Sequence, residues 1–137
     1  VATDFSDCSR LALREALTLA EQRAPSEVVL LHVLDEADGR TSDAMAESER
    51  IASGMLAEVD KVRGGTPVPS TVKLHCHVVR GGPAQRIIDE AVAHRCDLVV
   101  VGTHGRKGLE RLVLGSVAET VVRASPCSVL TIKRKGP

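Results

Sequence analysis

The sequence predicts an α/β protein, formed by one domain over residues 1–137, with a five-stranded parallel doubly wound sheet and helices on both faces. Short apolar runs of strand length alternate with segments of helical periodicity along the whole chain. Two of these runs, residues 28–34 and 97–101, are mostly apolar without alternation, which is typical of parallel strands buried on both faces. No stretch of linker composition divides the chain, so we expect one domain.

The first half of the chain predicts two strands and two helices. Residues 1–3 are the expected end of a strand, and Ser6 is the expected N-cap of a helix that ends before Pro25. The apolar face of this helix is formed by Leu13, Ala16, Leu17 and Ala20. Residues 28–34 follow as the second strand. A second amphipathic helix then stops at Gly64, where two consecutive glycines suit a helix end.

The second half predicts three more strands, separated by two helices. Apolar and polar residues alternate over residues 72–78, which indicates a strand exposed on one face. Pro83 follows two glycines and suits the first turn of a helix. Residues 97–101 are a short buried strand, and a glycine-rich stretch leads from them to the final helix. The last strand is expected from Ser128 to Lys133.

Composition excludes several classes of partner. The chain carries 18 basic and 18 acidic residues, so it lacks the excess of positive charge that a duplex DNA-binding protein shows. Phe5 is the only Phe, Tyr or Trp, which rules out an aromatic platform for single-stranded nucleic acid. No apolar run reaches the ~18 residues of a membrane span, and no signal peptide is recognisable. We therefore expect neither a nucleic-acid partner nor membrane association.

The cysteines indicate a reducing compartment. They form no CxxC pair, and their spacings match no zinc module. They are Cys8, Cys76, Cys96 and Cys127. We expect them to be buried free thiols in a cytoplasmic protein. Because the sequence begins at Val1 without a methionine, we also expect that residues precede it.

The glycine-rich stretch after residues 97–101 is a candidate phosphate site. In doubly wound sheets, ligands bind beyond the carboxyl ends of the strands, where Asp4 and Gly102 are expected to meet. Without a Cβ, Gly102 and Gly105 permit a positive φ and let phosphate oxygens approach backbone N–H groups. Gly115 and Ser116 begin a helix whose N–H groups and dipole attract an anion. The Ser116 hydroxyl adds a further donor.

A structural explanation of the same residues also stays open. The glycines can simply turn the chain after a strand, while Ser116 caps a helix. If a nucleotide does bind, Arg106 and Lys107 add positive charge, and Asp4 can accept a hydrogen bond from ribose or an adenine amine. His104 lies within this stretch, where it is either solvated or close to a terminal phosphate.

The spacing Gly102-x2-Gly105-x9-Gly115-Ser116 resembles the ATP-binding signature of the universal stress protein family. Ala2-Thr3-Asp4-Phe5-Ser6 is similar to the family's opening motif, and the resemblance covers nearly the whole chain. It implies a flavodoxin-like or Rossmann-like domain that binds ATP, with Mg²⁺ or Mn²⁺ as candidate ions. Ala2 stands where the family often has a proline, a change that we expect to have little effect on binding.

The resemblance also implies the nucleotide contacts, position by position. Asp4 and Val33 would face the adenosine. The ribose and phosphates would be faced by Gly102, Gly105, Gly115 and Ser116. The set of contacts is completed by Ala2, Thr3 and Val117. Members of the family commonly form homodimers, often through the last strand, and an edge strand as apolar as the one from Ser128 to Lys133 invites such pairing.

No catalytic set is recognisable, so we expect a regulatory protein with slow or no ATP hydrolysis. Bound nucleotide would order the glycine-rich stretch, and a partner would read the altered surface. A dimerisation module of the same fold that binds no nucleotide is the alternative. An ATP-dependent phosphotransfer or adenylating enzyme has less support. The chain lacks GxGxxG after its first strand, the P-loop motif and the acceptor aspartate of a receiver domain.

Three further histidines are expected to have structural roles and not to bind a ligand. His75 and His77 share one face of their strand and can both reach a metal ion. No third ligand is evident in the sequence, so an exposed strand face is favoured over a metal site. His32 lies in a buried strand, where we expect a hydrogen-bonded core histidine.

Overall fold

The computed structural model describes residues 1–35, 43–104 and 114–134. After an N-terminal segment, residues 1–3, helices and strands alternate. The elements are α1 Asp7–Gln22, β1 Ser26–Leu34, α2 Ala44–Arg63, β2 Val72–Arg80, α3 Pro83–Ala93, β3 Leu98–Gly102, α4 Ser116–Ala124 and β4 Ser128–Ile132. Among the described helices, none combines the length and the apolar character that crossing a membrane requires.

The strands form two parallel pairs, β1 with β2 and β3 with β4, and the N-terminal segment joins the pairs. On one side, the Leu31 N–H donates to the Val1 carbonyl at 2.9 Å and the Thr3 N–H to the Leu31 carbonyl at 2.8 Å. On the other side, the Ala2 N–H donates to the Val100 carbonyl at 3.2 Å. The order across the sheet is therefore β2, β1, N-terminal segment, β3, β4. The central position of the predicted five-stranded sheet is taken by residues 1–3, which form an isolated bridge from Ala2 to Leu31 and not a full strand.

Each face of the sheet is covered by two helices. Alternate residues of a strand point to opposite faces. On one face, Leu30 and Leu34 of β1 pack with α1 and α2 around Met55. On the other face, Leu31 of β1 and Val99 of β3 pack with α3 and α4. This two-sided burial confirms the predicted doubly wound α/β fold.

Three predicted helix boundaries are confirmed. The Ser9 N–H donates to Ser6 Oγ at 3.2 Å, so Ser6 caps α1. Helix α2 ends at Gly64, whose φ of 61° is a left-handed conformation that favours glycine. Pro83 is the first residue of α3, where its missing N–H costs no helical hydrogen bond.

The four cysteines are free thiols, as the sequence predicts, but only Cys8 is fully buried. Burial raises the pKa of the Cys76 and Cys96 thiols above the ordinary value. Since the thiolate is the reactive form, both side chains are held in their less reactive state.

Candidate functional site

The carboxyl edge of the sheet brings together the described members of the predicted nucleotide site. Asp4 follows the N-terminal segment, Val33 lies next to the end of β1, and Gly102 is the last residue of β3. Because the N-terminal segment lies between β1 and β3, these positions are neighbours on one edge. Gly105, Arg106 and Lys107 lie outside the described residues, so their roles stay predictions.

The turn after the N-terminal segment is held by its own side chains. Thr3 Oγ1 accepts the Phe5 N–H at 3.1 Å and lies 3.2 Å from Ser9 Oγ. One Asp4 oxygen accepts the Ser6 N–H at 3.0 Å. Phe5 has a φ of 65°, which is uncommon for a residue with a Cβ. The turn is thus fixed by contacts within the protein, and Asp4 has a defined position at the edge.

His32 supports this turn from β1. Its Nδ1 lies 2.8 Å from the Thr3 carbonyl oxygen, and because a carbonyl only accepts, Nδ1 carries the proton. The His32 and Phe5 ring centroids are 5.0 Å apart. His32 is 8% exposed, which confirms the predicted hydrogen-bonded core histidine. The Thr3 N–H, carbonyl and hydroxyl all have partners within the fold, so its polar groups hold the turn.

Gly102 is explained by the approach of α1 to β3. An added Cβ would lie 2.9 Å from the carbonyl carbon and from the Cβ of Cys8. A side chain here would therefore push α1 away from the sheet. The φ of Gly102 is not positive, unlike that of Gly64, Gly65 and Gly81. Gly102 therefore does not use the positive φ that a glycine permits, and close packing against Cys8 requires a glycine at this position.

Gly115 joins the start of α4 to the end of β3. Its N–H donates to the Thr103 carbonyl oxygen at 2.7 Å, and an added Cβ would lie 2.8 Å from that same oxygen. Its φ is −73°, so the short approach, not the backbone conformation, requires the glycine. This contact places Ser116 and Val117, the first residues of α4, beside the carboxyl end of β3.

The first turn of α4 offers backbone donors that its cap residue does not take. Gly115 is the N-cap and has no side chain, whereas α1 is capped by a serine hydroxyl. Ser116 is exposed, and Val117 is 37% exposed. An anion at this terminus would meet backbone N–H donors and the positive end of the helix dipole. Glu119 opposes this attraction, although its carboxylate also pairs with Arg123 at 3.0 Å.

Two histidines outside β1 have partners that the sequence did not indicate. His104 Nδ1 lies 2.9 Å from Thr103 Oγ1, which holds the imidazole at the end of β3. His77 meets Glu90 and His94, so the prediction that it has no third potential metal ligand nearby is wrong. The available signal was the four-residue spacing of Glu90 and His94, which places both on one face of α3 and its cap.

Comparison with known proteins agrees with this architecture. The model of the universal stress protein family matches residues 1–133. Universal stress protein MJ0531 of Methanocaldococcus jannaschii is 32% identical over 142 residues, which cover 98% of this chain and 80% of that protein. The solved structure of protein MJ0577 from the same organism has a TM-score of 0.80 at 28% identity, covering 99% of this chain and 94% of that chain.

A further solved structure of the fold contains a nucleotide. A universal stress protein from Archaeoglobus fulgidus in complex with dAMP has a TM-score of 0.68 at 22% identity, covering 96% of this chain and 94% of that chain. At that identity the likeness concerns the fold alone. The match to the family model over nearly the full length, with the 32% identical relative, shows that the chain belongs to the universal stress protein family.

Proposed function

We propose that this chain is an ATP-binding regulatory protein of the stress response, which acts in the cytoplasm as a homodimer and hydrolyses ATP slowly or not at all. Nucleotide occupancy is the signal, because bound ATP changes the surface around the start of α4 and a partner protein reads that surface. The observation that carries the proposal is the start of α4, which lacks a side-chain cap and is held beside β3 by the Gly115–Thr103 hydrogen bond.

The phosphates are assigned to the start of α4. The N–H groups of Ser116 and Val117 and the Ser116 hydroxyl are donors there, and the helix dipole adds a positive partial charge of about half an electron. Asp4 and the start of α4 share one edge, because the N-terminal segment lies beside β3 and Gly115 is hydrogen-bonded to Thr103 after β3. Mg²⁺ or Mn²⁺ would accompany the triphosphate.

The nucleoside is assigned to the side of the site that Asp4 and Val33 form. A carboxylate is a suitable acceptor for ribose hydroxyls or for the adenine amine, and Val33 supplies an apolar contact for the base. The Archaeoglobus fulgidus structure in complex with dAMP supports an adenine nucleotide as the ligand of this fold.

The homodimer is assigned to β4 and its continuation, from Ser128 to Lys133. Among the described strands, β4 pairs with β3 only, and most of its residues are half-exposed. An apolar strand with one open side favours pairing with a second chain. Two β4 strands related by a twofold axis would extend the sheet across the dimer.

A second candidate function is supported by the glycines themselves. Gly102 is required by the contact with Cys8, and Gly115 by the contact with Thr103, without any ligand. A dimerisation module of this fold that binds no nucleotide would keep both residues. Variants of these glycines therefore cannot separate the two candidates, and a residue with no packing role is needed.

The variant Ser116→Glu distinguishes the ATP-binding protein from the nucleotide-free dimerisation module. A negative charge in the first turn of α4 suits the helix dipole, so we expect unchanged or slightly higher stability. The same charge repels a phosphate, so we expect loss of ATP binding. The nucleotide content of the purified protein is measured by denaturing it and separating the supernatant by ion exchange. The thermal shift with ATP and Mg²⁺ is measured in parallel.

The matched control is Ser53→Glu, because Ser53 is also an exposed helical serine but lies in α2. Nucleotide in the wild type and in Ser53→Glu, with none in Ser116→Glu, supports the ATP-binding proposal. A wild type that carries no nucleotide and shows no shift with ATP supports the nucleotide-free dimerisation module. ATP turnover of ~1 per second or more would contradict the regulatory role and indicate an enzyme.

A further inference from the structure

We propose that His77, Glu90 and His94 form a binding site for a divalent transition-metal ion, with Zn²⁺ as the ion that fits the ligand set. The three side chains come from β2, from α3 and from the residue that caps the end of α3. They converge so that one potential ligand atom from each lies within 4.8 Å of the other two. We call them the His77 cluster.

The topology brings the cluster together. His77 is in register with Leu31 of β1, whose side chain packs against Ile87 and Ala91 of α3. His77 therefore faces the helix that follows its own strand. Helix α3 runs back along the sheet, so its final residues return towards the amino ends of the strands. The cluster thus lies away from the carboxyl edge, and the proposed metal site is independent of the nucleotide.

The distances suit a tetrahedral ion. His77 Nδ1 lies 3.0 Å from Glu90 Oε2, and His94 Nε2 lies 3.4 Å from that same oxygen. Zn–N and Zn–O bonds of about 2.0–2.1 Å at tetrahedral angles place ligand atoms about 3.3 Å apart. These two separations bracket this value, and the ligand atoms of all three side chains lie within 4.8 Å of one another. The two imidazole rings meet edge to face with centroids 4.7 Å apart, so they pack against each other beside the Glu90 carboxylate.

The surroundings suit an ion that enters from solvent. The side chain of Glu90 is 17% exposed, and those of His77 and His94 are 33% and 37% exposed. The carboxylate is thus largely removed from water, while both imidazoles keep a path to it. The backbones of Glu90 and His94 are joined at the helix end, where the His94 N–H donates to the Glu90 carbonyl at 3.0 Å. Two neutral nitrogens and one carboxylate oxygen are a ligand set that Zn²⁺ binds, leaving one position for water.

The alternative is a hydrogen-bonded cluster that binds no ion, in which both imidazoles donate to Glu90. A metal titration distinguishes the two. Tag-free protein is titrated with Zn²⁺ by isothermal calorimetry, and Co²⁺ serves as an absorbing probe of tetrahedral geometry. We expect one ion per chain at micromolar affinity, a rise in melting temperature with Zn²⁺ and visible Co²⁺ absorption.

Glu90→Gln and His94→Gln remove one ligand each at similar side-chain size, and we expect each to weaken Zn²⁺ binding at least about tenfold. His75→Gln is the matched control, because His75 lies on the same strand, is 47% exposed and has Glu27 as its neighbour. His75→Gln also removes one histidine, and we expect the Zn²⁺ affinity of this variant to equal that of the wild type. If Glu90→Gln does not fold, His94→Gln still tests the loss of one ligand, because His94 is exposed and its replacement leaves the core unchanged. Absence of binding by the wild type at up to about 100 µM Zn²⁺, or equal binding by all variants, would overturn the proposal.

Discussion

The two faces of the sheet differ in the size of the side chains that they bury. Among the described residues, the α1–α2 face contains four of the five largest fully buried side chains, and the α3–α4 face contains one. The four are Leu13, Leu17, Leu30 and Met55, and the one is Val121. The helices of the first face are 16 and 20 residues long, and those of the second are 11 and 9. Since stabilisation grows with buried apolar area, the α1–α2 face supplies more of the stability.

The α3–α4 face carries both candidate ligand sites instead. The start of α4 holds the proposed phosphate contacts, and the end of α3 holds two members of the His77 cluster. Ser116 at the start of α4 and His94 at the end of α3 are both exposed, so each can reach a ligand from solvent. We therefore expect substitutions in the core of the first face to have the larger effect on stability, and those at the helix ends of the second face to affect binding as well.

The largest expected effect is on the α1–α2 face. Met55 has no exposed surface, so Met55→Ala leaves a cavity, and we expect the free energy of unfolding to fall by about 3 kcal/mol. Urea unfolding measures the change. Met45→Ala is the control, because Met45 in the same helix is 76% exposed, and we expect a change below about 0.5 kcal/mol. Equal losses in the two variants would contradict the proposed role of this face.

Glu58 gives the same face a dependence on pH. It is 4% exposed and accepts hydrogen bonds from Lys61 and Arg10. Burial alone would raise the pKa of Glu58, but the hydrogen bonds and charges of Lys61 and Arg10 hold it below 4.5. A lowered pKa in the folded state means that the carboxylate stabilises the fold above pH 4.5, and that this contribution is lost as the pH falls through the folded value.

We expect Glu58→Ala to lower the free energy of unfolding by about 2 kcal/mol at neutral pH, because Arg10 and Lys61 lose the buried carboxylate that they share. Arg10 keeps its ion pair with Asp7 in this variant. Below the folded pKa of Glu58, wild type and variant should differ much less. Urea unfolding at a series of pH values gives both curves. A difference that stays constant down to about pH 3 would show that the ion pairs do not carry the effect.

The next effect tests the α3–α4 face. Gly115→Ala forces a Cβ against the Thr103 carbonyl oxygen at 2.8 Å, so the start of α4 must shift. Gly82→Ala is the matched control: Gly82 caps α3 in the same way, but its Cβ would meet nothing within 4 Å. Both variants share the cost of alanine at an N-cap. We expect Gly115→Ala to lose about 1–2 kcal/mol more in urea unfolding, and to lose nucleotide as well. Equal stability of the two variants would remove the packing explanation for Gly115.

Local features of the fold could be predicted from the sequence. Ser6, Gly64 and Pro83 mark helix ends through their own chemistry, and the apolar runs identify strands buried on both faces. His32 could be assigned to the core because its neighbours are apolar. Each of these predictions rests on residues that are close together in the chain.

The side-chain contacts between distant parts of the chain could not be predicted. The reason for Gly102 is the backbone of α1 at Cys8, and no local pattern reports that approach. The contact of His77 with Glu90 was missed because the alternation of apolar and polar residues in β2 says only which face His77 lies on. It does not say which residue of α3 packs opposite. The motif placed the candidate nucleotide site on the carboxyl edge of the sheet, where Asp4 and Gly102 do lie as neighbours, and its ligand stays a prediction. The packing of Gly102 against Cys8 could not be read from the motif.

The smallest expected effect on stability is at β4, the outer strand beside β3. Thr131 is half-exposed, and Thr131→Lys adds a charge to the strand that we propose as the dimer interface. Like charges would then meet across a twofold axis, so we expect a shift from dimer to monomer, with a change in unfolding free energy below about 0.5 kcal/mol. Analytical ultracentrifugation measures the molecular mass in solution. His75→Lys on the opposite outer strand, β2, adds the same charge, and we expect it to leave the dimer intact. If His75→Lys dissociates the dimer and Thr131→Lys does not, the interface lies at β2, on the other edge of the sheet.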